Sequence, residues 1–217
     1  NIPYEIISGN DDQYMRKIIE LIKQTKKTNS PVALLVKKGT FEKYDKEEII
    51  NYKSKIVREK ALEIILNTLS DGCIIVSTTG KTSREIFELR EKNGESHEKD
   101  FLTVGSMGHC SSIALGIALS KPHRQVICID GDGAMLMHMG NLATIVSKNP
   151  TNFKHILLNN EVHESVGGQE TAAKYINLSA VVKGVGYNNL YRADNPLELK
   201  ESIIKLIKCI GPALLEI

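Results

Sequence analysis

Between residues 73 and 217, short apolar runs alternate with helical patterns, and this limits the fold more than any other feature. Strand-length runs fall at 73–76, 101–104, 125–129, 155–158, 189–192 and 213–217. Between them, residues 81–91, 111–119, 134–146, 178–184 and 197–209 space their apolar side chains as helices do. Such alternation predicts an α/β domain, a parallel sheet with helices on both faces. Right-handed crossovers would then bring every strand's carboxyl end to one edge, where ligands bind. Apolar residues make up 41% of the 217, enough to fill the core this requires.

The first 40 residues follow another pattern. Residues 14–25 carry helical spacing at Ile18, Ile19 and Ile22, and "PVALLV" at 31–36 reads as a strand. One helix and one strand cannot bury a core, so this stretch reads as the tail of a preceding domain. Residues 41–56 are polar and charged, as in a linker, and residues 57–217 form the main domain. A net charge of +2 is too small to argue for nucleic acid. The clusters Lys23, Lys26, Lys27 and Lys53, Lys55, Arg58 read as solvated faces. Cys73, Cys110, Cys128 and Cys209 form no CxxC pair and read as reduced cysteines of a cytoplasmic protein. No run approaches the roughly 20 apolar residues that span a bilayer. No signal peptide is visible, although a chain that begins at Asn1 without Met reads as a fragment.

Chemistry concentrates at "IDGDGA", where Gly131, Asp132 and Gly133 follow the run at 125–129. The glycines allow a tight turn and close approach of a ligand, and the helix beyond offers free N–H groups. A plain helix cap, at about 1 kcal/mol, explains a lone carboxylate there equally well. A second cue lies 28 residues on, where the run at 155–158 ends in Asn159-Asn160. Neighbouring parallel strands would set Asp132 and Asn160 side by side. With a backbone carbonyl they make a hard oxygen set for Mg²⁺ or Ca²⁺. Taken alone, Asn159-Asn160 is a turn after a strand.

GDG followed at this distance by NN resembles the signature of thiamine diphosphate-dependent enzymes. "STTG" at 77–80 and "GSMG" at 105–108 stand where that family contacts the diphosphate and the two rings. The resemblance covers roughly residues 57–217 and implies the family's diphosphate-binding domain. Residues 31–41 resemble the last strand of the pyrimidine-binding domain that precedes it, which makes 1–40 a remnant of that domain. Within the family, "GSMGHCSSIALGIAL", "GDGAMLMHMGNLATI" and "NNEVHESVGGQET" are similar to the phosphonopyruvate decarboxylases, with the sulfopyruvate decarboxylases as near kin.

The resemblance implies two cofactors, thiamine diphosphate and Mg²⁺, and non-oxidative decarboxylation of a small 2-oxo acid. The product from phosphonopyruvate would be phosphonoacetaldehyde. Asp132, Asn160 and the Val162 carbonyl would ligate the metal; family members often have Gly where Val162 stands. Thr79, Gly80, Gly105, Ser106, Met107, Gly131, Gly133 and Ala134 would contact the cofactor. Met107 would be the wedge that bends it, and the Gly105 carbonyl would accept from its amino group. His109 and His163 are the catalytic candidates, for holding the substrate's second anion or moving a proton. His138 reads as structural. Residues 165–171 read either as a closing loop or as a solvent loop.

The family's glutamate, which pairs with the aminopyrimidine ring, has no counterpart in a matching motif; Glu5 and Glu20 lie outside one. The chain therefore reads as the carboxyl-terminal part of a longer enzyme or one subunit of a two-chain enzyme. The pyrimidine-binding domain would come from a second subunit. At least a homodimer is expected, with Met135, Leu136, Met137 and Met139 near the contact. Acetolactate synthase-like chemistry, a non-catalytic phosphate-binding module and an assembly subunit are the other readings.

Overall fold

The computed structural model describes residues 2–42, 56–187 and 189–217. The chain divides into two compact units, Asn1–Asn51 and Tyr52–Ile217.

The smaller unit contains β1 (Tyr4–Ile7), α1 (Tyr14–Thr28) and β2 (Ala33–Val36). β1 and β2 pair in parallel, from Tyr4 opposite Ala33 to Ile7 opposite Val36. The expectation of one helix and one strand therefore missed β1, whose glutamate interrupts a short apolar run. α1 ends where Asn29 adopts a left-handed conformation (φ 48°). Among the described residues of this unit, only Ile7 and Leu21 are buried apolar side chains. A two-stranded sheet with so little burial is marginal alone. Most of the expected linker, residues 43–55 with Lys53 and Lys55, lies outside the described residues.

The larger unit begins with α2 (Arg58–Thr68), then β3 (Ile74–Ser77), α3 (Lys81–Asn93), β4 (Asp100–Leu102) and α4 (Cys110–Ser120). It continues through β5 (Val126–Gly131), α5 (Asp132–Met137), α6 (Asn141–Lys148) and β6 (Phe153–Leu158). A hairpin of β7 (Val162–His163) and β8 (Gln169–Glu170) leads to a 3₁₀ turn, Ala172–Tyr175. α7 (Leu178–Val185), β9 (Asn189–Arg192), α8 (Pro196–Lys208) and β10 (Ala213–Glu216) complete it. Six strands form one parallel sheet in the order β4-β3-β5-β6-β10-β9.

Both sheet faces are covered, as the alternation requires. Ile127 and Ile129 of β5 turn to one face, among Leu62 and Ile65 of α2, Ile86 of α3 and Ile203 of α8. Val126 and Cys128 turn to the other, among Ala114 of α4, Ile145 of α6 and Val182 of α7. Leu62 is fully buried, so truncating it to Ala costs about 2–5 kcal/mol. α2 was passed over in the sequence, although Ala61, Leu62, Ile65 and Leu66 repeat on one helical face and are all buried. Arg58, read as part of a solvated cluster, is instead paired with two carboxylates.

Two expected boundaries shift. The strand expected at 101–104 ends at Leu102, and the exposed Val104 already belongs to the following loop. The single helix expected at 134–146 is two helices, α5 and α6, broken between His138 and Gly140. At the break the His138 N–H donates to the Met135 carbonyl, and Asn141 Nδ2 donates to Ser111 Oγ across to α4. The chain leaves β3 toward β4, then crosses back to β5 on the other side. The sheet's switch point therefore lies between β3 and β5, where such sheets bind ligands.

Candidate active site

A cavity of about 320 Å³ opens at the carboxyl ends of β3, β5 and β6. That is the lower end of the range for small-molecule sites. β5 and β6 are hydrogen-bonded neighbours, with Gly131 opposite Leu158. Asp132 follows directly on β5 and Asn160 lies two residues past β6, and both line the cavity. Val162 lines it as well, after Glu161 takes a left-handed turn (φ 60°) that an L-residue seldom adopts. Asn160 Oδ1 accepts the Val162 N–H at 3.2 Å, closing this turn.

Asp132 is 3% exposed. Burial raises its pKa, while the Thr171 hydroxyl, backbone N–H groups including that of Gly133, and the nearby His163 oppose the rise. The Thr171 hydroxyl donates to Asp132 Oδ2. Thr171 ends the segment read as a loop, so that segment is anchored in the site and runs there through the β7–β8 hairpin. Gly133 shows why the hinge has no side chain. A Cβ there would stand 2.7 Å from His163 Cε1 and 3.3 Å from Thr171 Cγ2.

The opposite wall carries the cations. Arg58 pairs with Glu85 at 2.6 Å and with Glu164, and Lys81 holds Glu164 at 2.8 Å. Arg58, Lys81 and Glu164 all line the cavity. Burial works against the Glu164 charge, but Lys81 and Arg58 together hold its pKa below the usual value. α3 starts at Lys81 with no side-chain cap, which leaves its first N–H groups toward an anion. Nothing in the sequence linked Arg58 to Glu164, because they lie 106 positions apart. Lys81 and Thr82 offered a weak signal, since they begin a helix directly after a strand and a glycine.

Of the expected residues, Thr79, Met107, Gly131, Gly133, Ala134 and His163 also line the cavity. Gly80, Gly105, Ser106 and His109 are not among its lining residues. A Cβ at Gly80 would contact Oγ of the lining residue Ser165 at 3.6 Å. Ser106 holds a left-handed conformation (φ 55°) in the turn that presents Met107. His109 is exposed, its Nδ1 is 3.4 Å from the Met107 carbonyl, and its ring contacts that of His138 at 4.2 Å. His138 thus acts where the loop meets the break after α5. The loop is seated on α5 at Gly108 (φ 87°), where a Cβ would lie 2.9 Å from the Ala134 carbonyl. The methionine-rich surface expected for a contact is mixed. Met135 is buried, Leu136 and Met139 pack against the core, and Met137 is 57% exposed.

The carboxylate, the amide oxygen and the peptide carbonyl are hard donors that fit Mg²⁺. The uncapped start of α3, with Lys81, fits a diphosphate. Among the described residues, no helix is long and apolar enough to cross a membrane.

The family profile described as thiamine pyrophosphate enzyme, C-terminal TPP binding domain, matches residues 78–217. The chain is 38% identical to a phosphonopyruvate decarboxylase of Streptomyces hygroscopicus over 160 residues, 74% of this chain and 38% of that protein. It therefore spans less than half the length of that relative. It is also 38% identical to a sulfopyruvate decarboxylase subunit beta of Methanothermobacter thermautotrophicus, over 64% of this chain and 71% of that subunit. A solved structure of a candidate thiamin diphosphate-dependent enzyme from Mycobacterium smegmatis superposes with a TM-score of 0.63 at 19% identity. It covers 75% of this chain and 32% of that one, and it supports the fold alone.

Proposed function

We propose, from the premise that this chain belongs to the thiamine pyrophosphate enzyme family and carries its C-terminal TPP-binding domain, that the complete enzyme decarboxylates a 2-oxo acid. The substrate in this reading is phosphonopyruvate, which leaves as phosphonoacetaldehyde and CO₂. One observation carries the reading: Asp132, Asn160 and Val162 line a single cavity with Met107 and the uncapped start of α3. The names of its phosphonopyruvate and sulfopyruvate decarboxylase relatives support the substrate class.

Asp132, Asn160 and the Val162 carbonyl are the residues that would hold Mg²⁺. Thr79 and Lys81 would face the diphosphate, and Gly80 (φ 97°) would let the chain turn between them. Gly131, Gly133 and Ala134 would give it room, and the carbonyl of Gly105 would accept from the aminopyrimidine. Ser106 would shape the turn that aims Met107 as the wedge under the rings. When bound, the cofactor supplies an electron sink for the carbanion left as CO₂ departs. His163 is the residue for hydrogen-bonding the substrate's second anion or delivering a proton, since it lines the cavity beside Gly133. His109 would act through the Met107 turn.

The chain's share of this reaction needs a pyrimidine-binding domain and its glutamate. Residues 1–40 are, in this reading, the end of such a domain, joined through 41–56 to the diphosphate-binding domain at 57–217. The partner domain comes from a second subunit of a homodimer or larger assembly in the cytoplasm. A second reading, the beta subunit of a two-chain sulfopyruvate decarboxylase, is favoured by the 71% of such a subunit that the alignment spans.

The test is turnover of the complete enzyme with Mg²⁺ and thiamine diphosphate on phosphonopyruvate, sulfopyruvate and pyruvate. CO₂ and phosphonoacetaldehyde are the expected products. Preference for sulfopyruvate selects the second reading. Acetolactate from pyruvate selects a synthase, and no turnover on any of the three overturns the decarboxylase.

A further inference from the structure

The sheet face covered by α4, α6 and α7 carries a polar cluster below the cavity. Cys128 and Asp130 are two residues apart on β5 and share that face. His155 of β6 stands directly opposite Cys128 in the register, so its side chain joins them. Cys110 comes down from the first turn of α4. All four are buried, with exposures of 1% or less. None of them lines the cofactor cavity, so this cluster is separate from the proposed Mg²⁺ site.

The two thiols of this cluster meet each other, but its carboxylate and imidazole are not satisfied. Asp130 Oδ1 accepts the Gly131 N–H at 2.9 Å. Among the described residues, Asp130 Oδ2 and both His155 nitrogens have no hydrogen-bond partner. Yet Asp130 Oδ2 and His155 Nε2 are only 3.5 Å apart. A buried carboxylate and imidazole left this way are costly, and natural proteins seldom leave such groups without a compensating partner.

Two distances identify a partner of the right chemistry. The Sγ atoms of Cys110 and Cys128 are 3.8 Å apart. Two sulfurs on a tetrahedral zinc, each at about 2.3 Å, stand about 3.8 Å from each other. A nitrogen and an oxygen at about 2.0–2.1 Å from the same ion stand about 3.3 Å apart, close to the Asp130–His155 separation. The ligand atoms of Cys110, Cys128 and Asp130 all lie within 4.8 Å of one another, and His155 stands beside this set, next to Asp130. We propose that Cys110, Cys128 and Asp130 bind a structural zinc ion and that the His155 ring turns inward to close the site as the fourth ligand. The thiols select zinc over Mg²⁺, which prefers oxygen ligands. On binding, the two thiols release their protons to solvent, while the carboxylate and the neutral imidazole bind as they are. The site ties the start of α4, just after the Met107 loop, to β5 two residues before Asp132. It thus braces two walls of the cavity from below. A disulfide explains less. It would require the sulfurs to close to about 2.05 Å and would leave Asp130 and His155 unpartnered.

The test needs no catalytic activity. The full chain is expressed with zinc, dialysed against a chelator that strips surface sites, and analysed for metal by plasma mass spectrometry. About one zinc per chain is expected, as for a closed four-ligand site. Exchange for Co²⁺ should give a thiolate-to-cobalt charge-transfer band with the intense visible bands of a tetrahedral ion. Cys110→Ala and Cys128→Ala should each lose the band and the retained zinc, with folding monitored by circular dichroism. The cobalt spectrum of the unaltered chain decides the matter if either variant fails to fold. The proposal is overturned by zinc far below stoichiometry with no thiolate–cobalt band. Zinc retained in both folded variants, or an intact mass lower by two hydrogens that shows a disulfide, also overturns it.

Discussion

Gly133→Ala tests the packing at the hinge. Gly133 lies within α5 and has no left-handed φ, so the helix itself would welcome alanine. The intrinsic gain is about 0.8–1.0 kcal/mol. Against it stands the methyl group, 2.7 Å from His163 Cε1, 3.1 Å from His163 Nδ1 and 3.3 Å from Thr171 Cγ2. Overpacking of this kind costs about 1–3 kcal/mol. The net loss is then about 0–2 kcal/mol, or a melting temperature lower by up to about 8 °C for a chain of this size. Most of the clash is with one imidazole ring, which can swing away. Its removal should therefore expose the hidden gain. In a His163→Ala background, the same Gly133→Ala change should be close to neutral or stabilising. The assay is a double-mutant cycle by chemical denaturation on the metal-free chain. A coupling of about 1–3 kcal/mol between the two positions is expected, the range found for residues in contact. Additive effects, with the same Gly133→Ala cost whether or not His163 is present, would refute the packing argument.

Three further outcomes follow from the same site. Asp132→Asn should leave the metal-free protein at least as stable as the parent near neutral pH, because burial raises the Asp132 pKa and its charged form is held at a cost. That advantage should grow as pH rises through the Asp132 pKa, while calorimetry on the complete enzyme loses Mg²⁺-dependent cofactor binding; unchanged binding removes the metal reading. Glu164→Gln should cost about 1 kcal/mol, since the Lys81 pair is partly exposed and Arg58 keeps Glu85. The Glu164 pKa is lowered, so this difference should be full above the ordinary glutamate value of about 4.3 and fade as pH falls below it. A gap in urea stability that stays flat into acid would contradict the pairing. Met107→Ala in the complete enzyme should lower turnover more than cofactor affinity, because the diphosphate anchor is untouched; normal turnover would return Met107 to ordinary packing.

Periodicity determined the parallel sheet of the larger unit and most of its crossover helices, but not α2 or the break after α5. Alternating runs must form parallel strands with crossover helices, and strands buried on both faces read as continuous apolar runs such as Val126–Gly131 up to its acid. The glycine-flanked Asp132 and the paired asparagines were legible because neighbouring strand ends need them at that separation in the chain. Other features depended on contacts between residues far apart in sequence. At the split between α5 and α6, Asn141 reaches Ser111 of α4, 30 positions away. Thr171 became part of the site only when a hairpin returned it to Asp132, 39 residues away. Arg58 and Glu164 have no common motif and meet because α2 starts at the cavity rim. His109 and His163 looked alike in sequence, each beside a cofactor motif. Tertiary structure separated them, since one ring packs on His138 and the other on the glycine hinge. Local chemistry and period are written in neighbouring residues, whereas the partners of a buried charge are fixed only when distant segments close around it.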